Sequence, residues 1–180
     1  QYNLALLHAA GRGVPRDDAE ALKWFRRAAE RGLAGAQHNV GVMHAGGRGV
    51  PRDDAEAARW FRRAADQGHA GAAYNLGALH DHGRGVPQDD AEAAKWYREA
   101  AERGHANAQY NLGLMCQHGT GVAPSLVDAH LWLSLAVEGF PDASEDLRDL
   151  AQVRLAGVAA QMTPAELAQA RERARDWRAR

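Results

Sequence analysis

The chain has 180 residues, with 22 Lys or Arg against 23 Asp or Glu, and its formal net charge at pH 7 is −1. This balance gives no overall electrostatic argument for binding nucleic acid or an anionic membrane. The single cysteine, Cys116, excludes an internal disulfide, and no apolar run approaches the length of a bilayer-spanning helix.

The most regular feature of the sequence is a period of 36 residues, marked by tryptophans at positions 24, 60, 96 and 132. The segment GRGVPRDDAEALKWFRRAAERG over 11–32 returns, with few changes, over 47–68 and 83–104. A fixed period of this length is typical of solenoids, in which each unit packs only on its neighbours. Because such stacks supply extended surface, the pattern favours a binding role over catalysis.

Each repeat is predicted to form a first helix, a tight loop and a second helix. In the second repeat these are residues 34–47, 48–54 and 55–68. The loop contains glycines that allow positive φ and a proline that prevents the first helix from continuing. Asp53 is predicted to cap the second helix, with Glu56 completing a capping box. The equivalent N-caps are Asp17, Asp89 and Ser125.

Small residues recur in the middle of the first helices. Glycine inside a helix costs about 1 kcal/mol relative to alanine, so its repetition needs a reason. We predict that another backbone passes too close to this column for a Cβ atom. The column consists of Ala5, Gly41, Gly77 and Gly113.

The end of the sequence departs from the repeat. The fourth second helix, AHLWLSLAVEGFPDA, presents leucines where earlier repeats have arginines, and this apolar face needs a cover. Two capping helices are predicted over 142–161 and 163–177, the latter with Thr163 as N-cap and Glu166 completing the box. The first of these helices carries an apolar stripe of Leu147, Leu150, Ala151, Leu155 and Val158.

The segments AQHNVGVMHAGGRGVPRDDAEAARWFRRAADQG and AQYNLGLMCQHGTGV resemble the Sel-one-like repeat (SLR) family, a relative of the tetratricopeptide repeats. The resemblance covers roughly residues 1–139. It implies an all-α fold, a right-handed α/α superhelical solenoid of antiparallel helix pairs, which acts as an adaptor in protein complexes. It also implies that the first helices line the concave side. The chain departs from the family where a tyrosine is usual, at His8, His44, His80 and Cys116.

We therefore predict one continuous solenoid domain. It begins with a truncated first repeat at 1–32, because the sequence opens partway through the pattern. Repeats follow at 33–68 and 69–104. A divergent last repeat at 105–141 and C-terminal capping helices at 142–180 complete the domain.

Nine histidines and one cysteine raise the alternative of a metal or catalytic site. Equivalent histidines in successive repeats stand on the order of 10 Å apart. A single zinc ion needs its nitrogen ligands at about 2.0–2.1 Å. Cys116 and His118 are two residues apart on a helix and do not face each other. We therefore predict no catalytic residue, no metal and no cofactor, and keep a hydrolase or metal-dependent sensor that uses Cys116 and the histidines as an alternative.

A polar ladder recurs in the first helices. Asparagine is a poor helix former, yet it stands in mid-helix beside an aromatic residue in each repeat. Its amide can donate to and accept from a peptide backbone, and tyrosine adds contact area. A structural role, with asparagine bonding an adjacent loop backbone, is equally open. The ladder is Asn3, Asn39, Asn75 and Asn111 with Tyr2, His38, Tyr74 and Tyr110.

Residues that differ between repeats on this projected concave wall are predicted to set specificity. They include Val42, Ala45, Ala78, Asp81, His82, Leu114, Gln117 and His118. Their mixed character suits an extended peptide or a partner's helix. We predict an adaptor that binds a peptide or partner protein there, with no nucleic acid and no membrane insertion, and expect a monomer. A structural spacer of a longer protein is the alternative. The compartment, bacterial cytoplasm or periplasm, stays open.

Overall fold

Helices make up the regular structure of the chain in a computed structural model, which describes residues 1–141 and 144–179. Those two ranges contain ten α-helices and no β-strand. Residues 142, 143 and 180, at the ends of the predicted capping segment, lie outside the described residues. In chain order the helices are α1 (Tyr2–Ala10), α2 (Asp18–Glu30), α3 (Ala34–Gly46), α4 (Asp54–Ala65), α5 (Ala70–Asp81), α6 (Asp90–Glu102), α7 (Ala106–His118), α8 (Leu126–Gly139), α9 (Glu145–Ala159) and α10 (Pro164–Arg178).

The chain divides into two compact units. Unit 1 is Gln1–Gln88 and contains α1 to α5, and unit 2 is Asp89–Arg180 and contains α6 to α10. Within the described ranges, no helix has both the length and the apolar character that crossing a membrane requires.

The second helix of each repeat begins at a side-chain cap. Asp53 Oδ1 accepts a hydrogen bond from the backbone N–H of Glu56 at 2.9 Å, which satisfies one of the free donors at the start of α4. Asp17, Asp89 and Ser125 cap α2, α6 and α8 in the same way. The predicted N-caps are confirmed, but Glu56 has a different partner from the expected one. Its carboxylate accepts a hydrogen bond from Trp60 Nε1 at 2.9 Å.

The core of unit 1 combines alanines with a few large side chains. The large residues buried there include Leu22, Phe25, Val40, Met43 and Trp60. Gly41 fits against the ring of Phe61, which an added Cβ would approach to 2.6 Å. The prediction of a close backbone at this glycine is therefore wrong, because an aromatic side chain fills the space.

Backbones do come close together at the second glycine of the loops. An added Cβ at Gly49 would overlap the carbonyl group of Asp18, and one at Gly85 would overlap that of Asp54. Each contact joins a loop to the start of the second helix of the preceding repeat. Arg48 strengthens the first contact with an ion pair to Asp18 at 2.8 Å.

The apolar helix α8 in unit 2 is covered by the two helices that follow it. Leu131 and Leu135, which stand where the second repeat has Arg59 and Arg63, are buried, and α8 contacts both α9 and α10. Trp132 of α8 meets Trp177 of α10 edge to face, with 5.0 Å between ring centroids. The leucines that replace arginines in this repeat therefore pack against protein instead of facing water.

The two terminal helices differ in how closely they follow their sequence pattern. α10 begins with the predicted capping box, in which Thr163 and Glu166 exchange hydrogen bonds. On α9, Ala151 is buried but Leu147 and Leu150 are each 43% exposed. The apolar stripe predicted on α9 is thus only partly in contact with the rest of unit 2.

Candidate functional site

The asparagine and aromatic residues of the ladder lie on the first helices of the repeats. In unit 1 they belong to α1, α3 and α5, and in unit 2 to α7. The last three asparagines are partly exposed residues. We use the name ladder face for Asn39, Asn75, Asn111, His38, Tyr74, Tyr110, Asp81, His82, Gln117 and His118. Of these, His82 and His118 are exposed and the other eight are partly buried.

Two of the asparagines bond to an aromatic residue of the preceding repeat. Asn39 Nδ2 donates to the hydroxyl oxygen of Tyr2 at 3.2 Å. Asn75 Nδ2 lies 3.2 Å from His38 Nε2, which accepts the bond in its unprotonated form. In both bonds the asparagine meets a side chain 37 residues earlier in the chain. The structural role considered from the sequence predicted a bond to an adjacent loop backbone instead. Both bonds use the amide nitrogen, which leaves the amide oxygen as the group with which the ladder can accept a hydrogen bond.

His38 also stacks on a second histidine that the sequence patterns did not single out. The His38 and His69 rings are 4.5 Å apart and nearly parallel. His69 is the N-cap of α5, where its Nδ1 accepts a hydrogen bond from the backbone N–H of Ala72 at 3.1 Å. His105 caps α7 in the same way. His69 and His105 are 36 residues apart, and this recurrence in the sequence could have identified them.

A groove in unit 1 adjoins the ladder, with a cavity of about 190 Å³. It contains four residues predicted on the concave wall, and three that were not predicted. The predicted ones are Val42, Ala45, Asn75 and Ala78, and the others are Phe61, Leu79 and Arg84. We call this set the unit 1 groove. Two alanines leave the space open, and two large apolar side chains line it, so it is shaped for an apolar group beside one amide.

The arginine of the unit 1 groove is paired with a carboxylate. Arg84 Nε and Nη2 donate to the two carboxylate oxygens of Asp54 at 3.2 and 3.1 Å. The Arg52 and Arg84 guanidiniums lower the pKa of Asp54, so its carboxylate stays charged at neutral pH. Asp54 is thus shared between two guanidiniums, and Arg84 meets a partner group with its carboxylate already in place.

The tyrosines of the ladder face have different surroundings. Burial raises the pKa of Tyr74, and the Asp81 carboxylate on the same helix adds to that effect, so its phenol stays protonated and able to donate. Tyr110 packs against a cluster in unit 2 that includes Ala136, Phe140 and Ala151. Tyr110 is therefore held by packing in unit 2.

The column that departs from the family pattern is directed into the protein. His44 is buried, with its Nε2 3.1 Å from Arg26 Nη2, and burial followed by the Arg26 charge lowers its pKa. Cys116 is 2% exposed, and burial raises the pKa of its thiol to about 11. A buried thiol with this pKa is a poor nucleophile at neutral pH. Across the described residues, no group of three or more His, Cys, Asp or Glu is arranged to hold a metal ion.

A family model described as the Sel1 repeat matches the chain four times, at residues 1–33, 34–69, 70–105 and 106–139. The chain belongs to the Sel1 repeat family. The four Sel1 repeats take in every residue of the ladder face and of the unit 1 groove. A search of curated proteins finds no match.

Solved structures of Sel1 repeat proteins resemble the chain. One is c5321, a protective antigen present in uropathogenic Escherichia coli strains that displays an SLR fold, with a TM-score of 0.83 and 31% identity over 97% of this chain and 37% of that chain. Another is a Sel1 repeat protein from Oxalobacter formigenes, with a TM-score of 0.76 and 33% identity over 89% of this chain and 61% of that chain. The chain thus spans less than two thirds of either protein. These similarities confirm the all-α solenoid fold.

Proposed function

We propose that this Sel1 repeat protein is a non-catalytic adaptor that binds an extended peptide segment of a partner protein on the part of the ladder face that belongs to unit 1. Sel1 repeats are typical of protein–protein interaction modules, which supports this class of function. The observation that carries the finer proposal is the unit 1 groove. It brings the Asn75 amide next to a space bordered by Ala45 and Ala78.

The size and lining of the groove favour one apolar side chain as its occupant. Small-molecule sites usually have volumes of about 300–1,000 Å³. The cavity of about 190 Å³ is smaller than that, and Phe61 and Leu79 contribute apolar surface to it. Because Arg84 already pairs with Asp54, an acidic occupant would compete with that carboxylate, and a basic one would face the guanidiniums of Arg52 and Arg84. An uncharged segment of peptide with a single apolar anchor fits these properties.

The polar groups beside the groove suit a peptide backbone. Asn75 uses its amide nitrogen to reach His38, and its amide oxygen is placed to accept a backbone N–H. An extended peptide exposes such N–H groups along its length, whereas a helix uses its own internally. This difference favours an extended segment over a partner's helix.

The proposal is tested by filling the groove with a large side chain and measuring the affinity for peptides. Peptides are selected from a random displayed library on the wild-type chain, and their affinity is then compared with that for Ala78→Trp. We expect the substitution to weaken binding at least about tenfold, roughly 1.4 kcal/mol, because the indole occupies the anchor space. Ala156→Trp, at an exposed position on α9, is the matched control and should bind like the wild type.

Two results would contradict the proposal. If no selected peptide binds the wild type, the chain serves as a structural spacer, which was the alternative. If Ala78→Trp and Ala156→Trp bind equally well while both melt like the wild type, peptides bind on another surface. Circular dichroism melts of all three proteins distinguish a lost site from a lost fold.

A further inference from the structure

A second cavity lies in unit 2, away from the ladder face, between α8 and α10. Its volume is about 430 Å³. It is lined by His130 and Ser134 from α8 and by Ala168, Arg171, Ala174, Arg175 and Arg178 from α10. Three of its seven lining residues are arginines and none is acidic. The lining therefore favours a negatively charged occupant.

The helical period places the arginines on one face of α10. Residues 171, 175 and 178 are separated by four and three positions, and residues at these spacings are neighbours on a helix surface. Arg178 is paired, because its Nε donates to Glu138 Oε2 at 2.7 Å. Arg173, which is not part of the lining, pairs with Asp128 at 2.7 Å. The acidic residues nearby thus neutralise two of the four arginines.

Arg171 and Arg175 remain without an ion pair to any described residue. Like charges four residues apart on a helix destabilise it. Both arginines also line the same solvent-open cavity. An anion between them would remove the repulsion and accept hydrogen bonds from both, which is how arginine forks recognise phosphate and carboxylate groups.

A buried histidine lies at the inner side of the cavity. His130 is only 7% exposed, and its Nδ1 is buried without a hydrogen-bond partner among the described residues. Burial, followed by the Arg171 charge, lowers the pKa of His130, so the ring is neutral at neutral pH. The net charge to be balanced is therefore that of the two arginines.

We propose that the cavity between α8 and α10 binds the phosphate group of an organic phosphate monoester through Arg171 and Arg175. A phosphate monoester carries a charge of about −1.5 to −2 at pH 7, which matches two guanidiniums. The cavity falls within the range of about 300–1,000 Å³ that small-molecule sites occupy, so there is room for an organic group beside the phosphate. Ala168 and Ala174 give that group an apolar wall.

The test titrates the 180-residue chain with phenyl phosphate at low ionic strength and pH 7.5 in a calorimeter. We expect saturable binding to one site, and a loss of at least about tenfold in affinity in the Arg171→Gln/Arg175→Gln variant. The control variant, Arg12→Gln/Arg154→Gln, removes the same charge at exposed positions outside the cavity and should bind like the wild type. Phenol, which lacks the phosphate, should not bind.

A chemical readout covers the case in which the double variant folds poorly. Phenylglyoxal modifies accessible arginines, and mass spectrometry of the wild type locates each modified residue. We expect phenyl phosphate to protect Arg171 and Arg175, and to leave Arg12 and Arg154 unprotected. Equal affinity of both double variants, equal protection of all four arginines, or binding of inorganic phosphate as tightly as phenyl phosphate would overturn the proposal.

Discussion

The side-chain amide of Asn75 in α5 meets the imidazole of His38 in α3, with 3.2 Å between Nδ2 and Nε2. Asn39 makes the equivalent bond to the Tyr2 hydroxyl one repeat earlier. Asparagine lowers helix propensity, and these bonds between neighbouring first helices give a physical reason for its recurrence in mid-helix. In the proposed complex the same residue presents its amide oxygen to a peptide. Stability and binding therefore depend on different atoms of one side chain.

The bond between Asn39 and Tyr2 is expected to stabilise unit 1. Asn39→Ala should lower the free energy of unfolding by about 0.5–1.5 kcal/mol, the usual net value of one hydrogen bond. Tyr2→Phe removes the same bond from the other side while keeping the ring that packs on Phe25. Urea denaturation of both variants and of the double variant forms a double-mutant cycle. Strictly additive effects would show that the two side chains do not interact.

Glycine is expected to be required at position 41, although alanine is the better helix former by about 1 kcal/mol. An added Cβ would lie 2.6 Å from the Phe61 ring, which is itself buried and cannot move freely. Gly41→Ala should therefore destabilise the protein by about 1–3 kcal/mol, as overpacking does in other cores. Thermal melts followed by circular dichroism measure the change.

Gly157 supplies the control for this substitution. It lies inside α9, and an added Cβ there meets nothing within 4 Å. Gly157→Ala should thus raise stability by about 0.4–1 kcal/mol. Gly41→Ala/Phe61→Leu should recover part of the loss, because leucine leaves room for the new methyl group. A stabilising Gly41→Ala would show that the Phe61 ring is not the reason for glycine at position 41.

The local rules in the sequence were sufficient for the helices and their caps, because those rules act over three or four residues. Asp53 and Glu56 illustrate this. The Asp53 cap was predicted, and the Glu56 carboxylate accepts its hydrogen bond from Trp60, four residues later on the same helix. The partners of Asn39 and Gly41 were not predicted. They come from neighbouring helices, and their identity depends on how those helices are rotated about their axes.

The rotation of the helices about their axes also explains which residues of the candidate sites were predicted and which were not. Repetition pointed to Asn75 and to the variable Ala45 and Ala78, which the unit 1 groove contains. Phe61 belongs to the second helix of its repeat, whereas the predicted binding residues all lie on first helices or at their ends. On α9 the period alone predicted that Leu147 would be buried, but its 43% exposure follows from the orientation of that helix.

Stability is expected to fall when the pH drops through the ordinary histidine range. Burial, followed by the charge of Arg26 or Arg171, lowers the pKa of His44 and of His130 from the usual 6.5. The unfolded chain therefore takes up protons at these sites before the folded chain does. The stabilisation is complete above pH 6.5 and is lost as the pH falls through that value towards the lower pKa of the folded state.

Urea denaturation at pH 8 and pH 5.5 measures this dependence. His44→Phe removes one of the two histidines whose pKa is lowered, so the difference in unfolding free energy between the two pH values should become smaller. His82→Gln, at an exposed position, is the control and should leave the difference unchanged. The lowered pKa values of Asp18 and Asp54 act below their ordinary value of 3.8, outside this window. A wild type equally stable at both pH values would contradict the prediction.

The Cys116 thiol is expected to be unreactive in the folded protein. It is 2% exposed and its pKa is about 11, so at pH 8 about one thiol in a thousand is ionised, and that fraction is shielded from reagents. Labelling by a thiol-specific disulfide reagent should be at least about a hundredfold slower than in urea, because reaction requires the thiolate and access to it. Labelling in the folded state that is as fast as in urea would show an accessible thiolate, and would reopen the alternative of a catalyst or sensor based on Cys116.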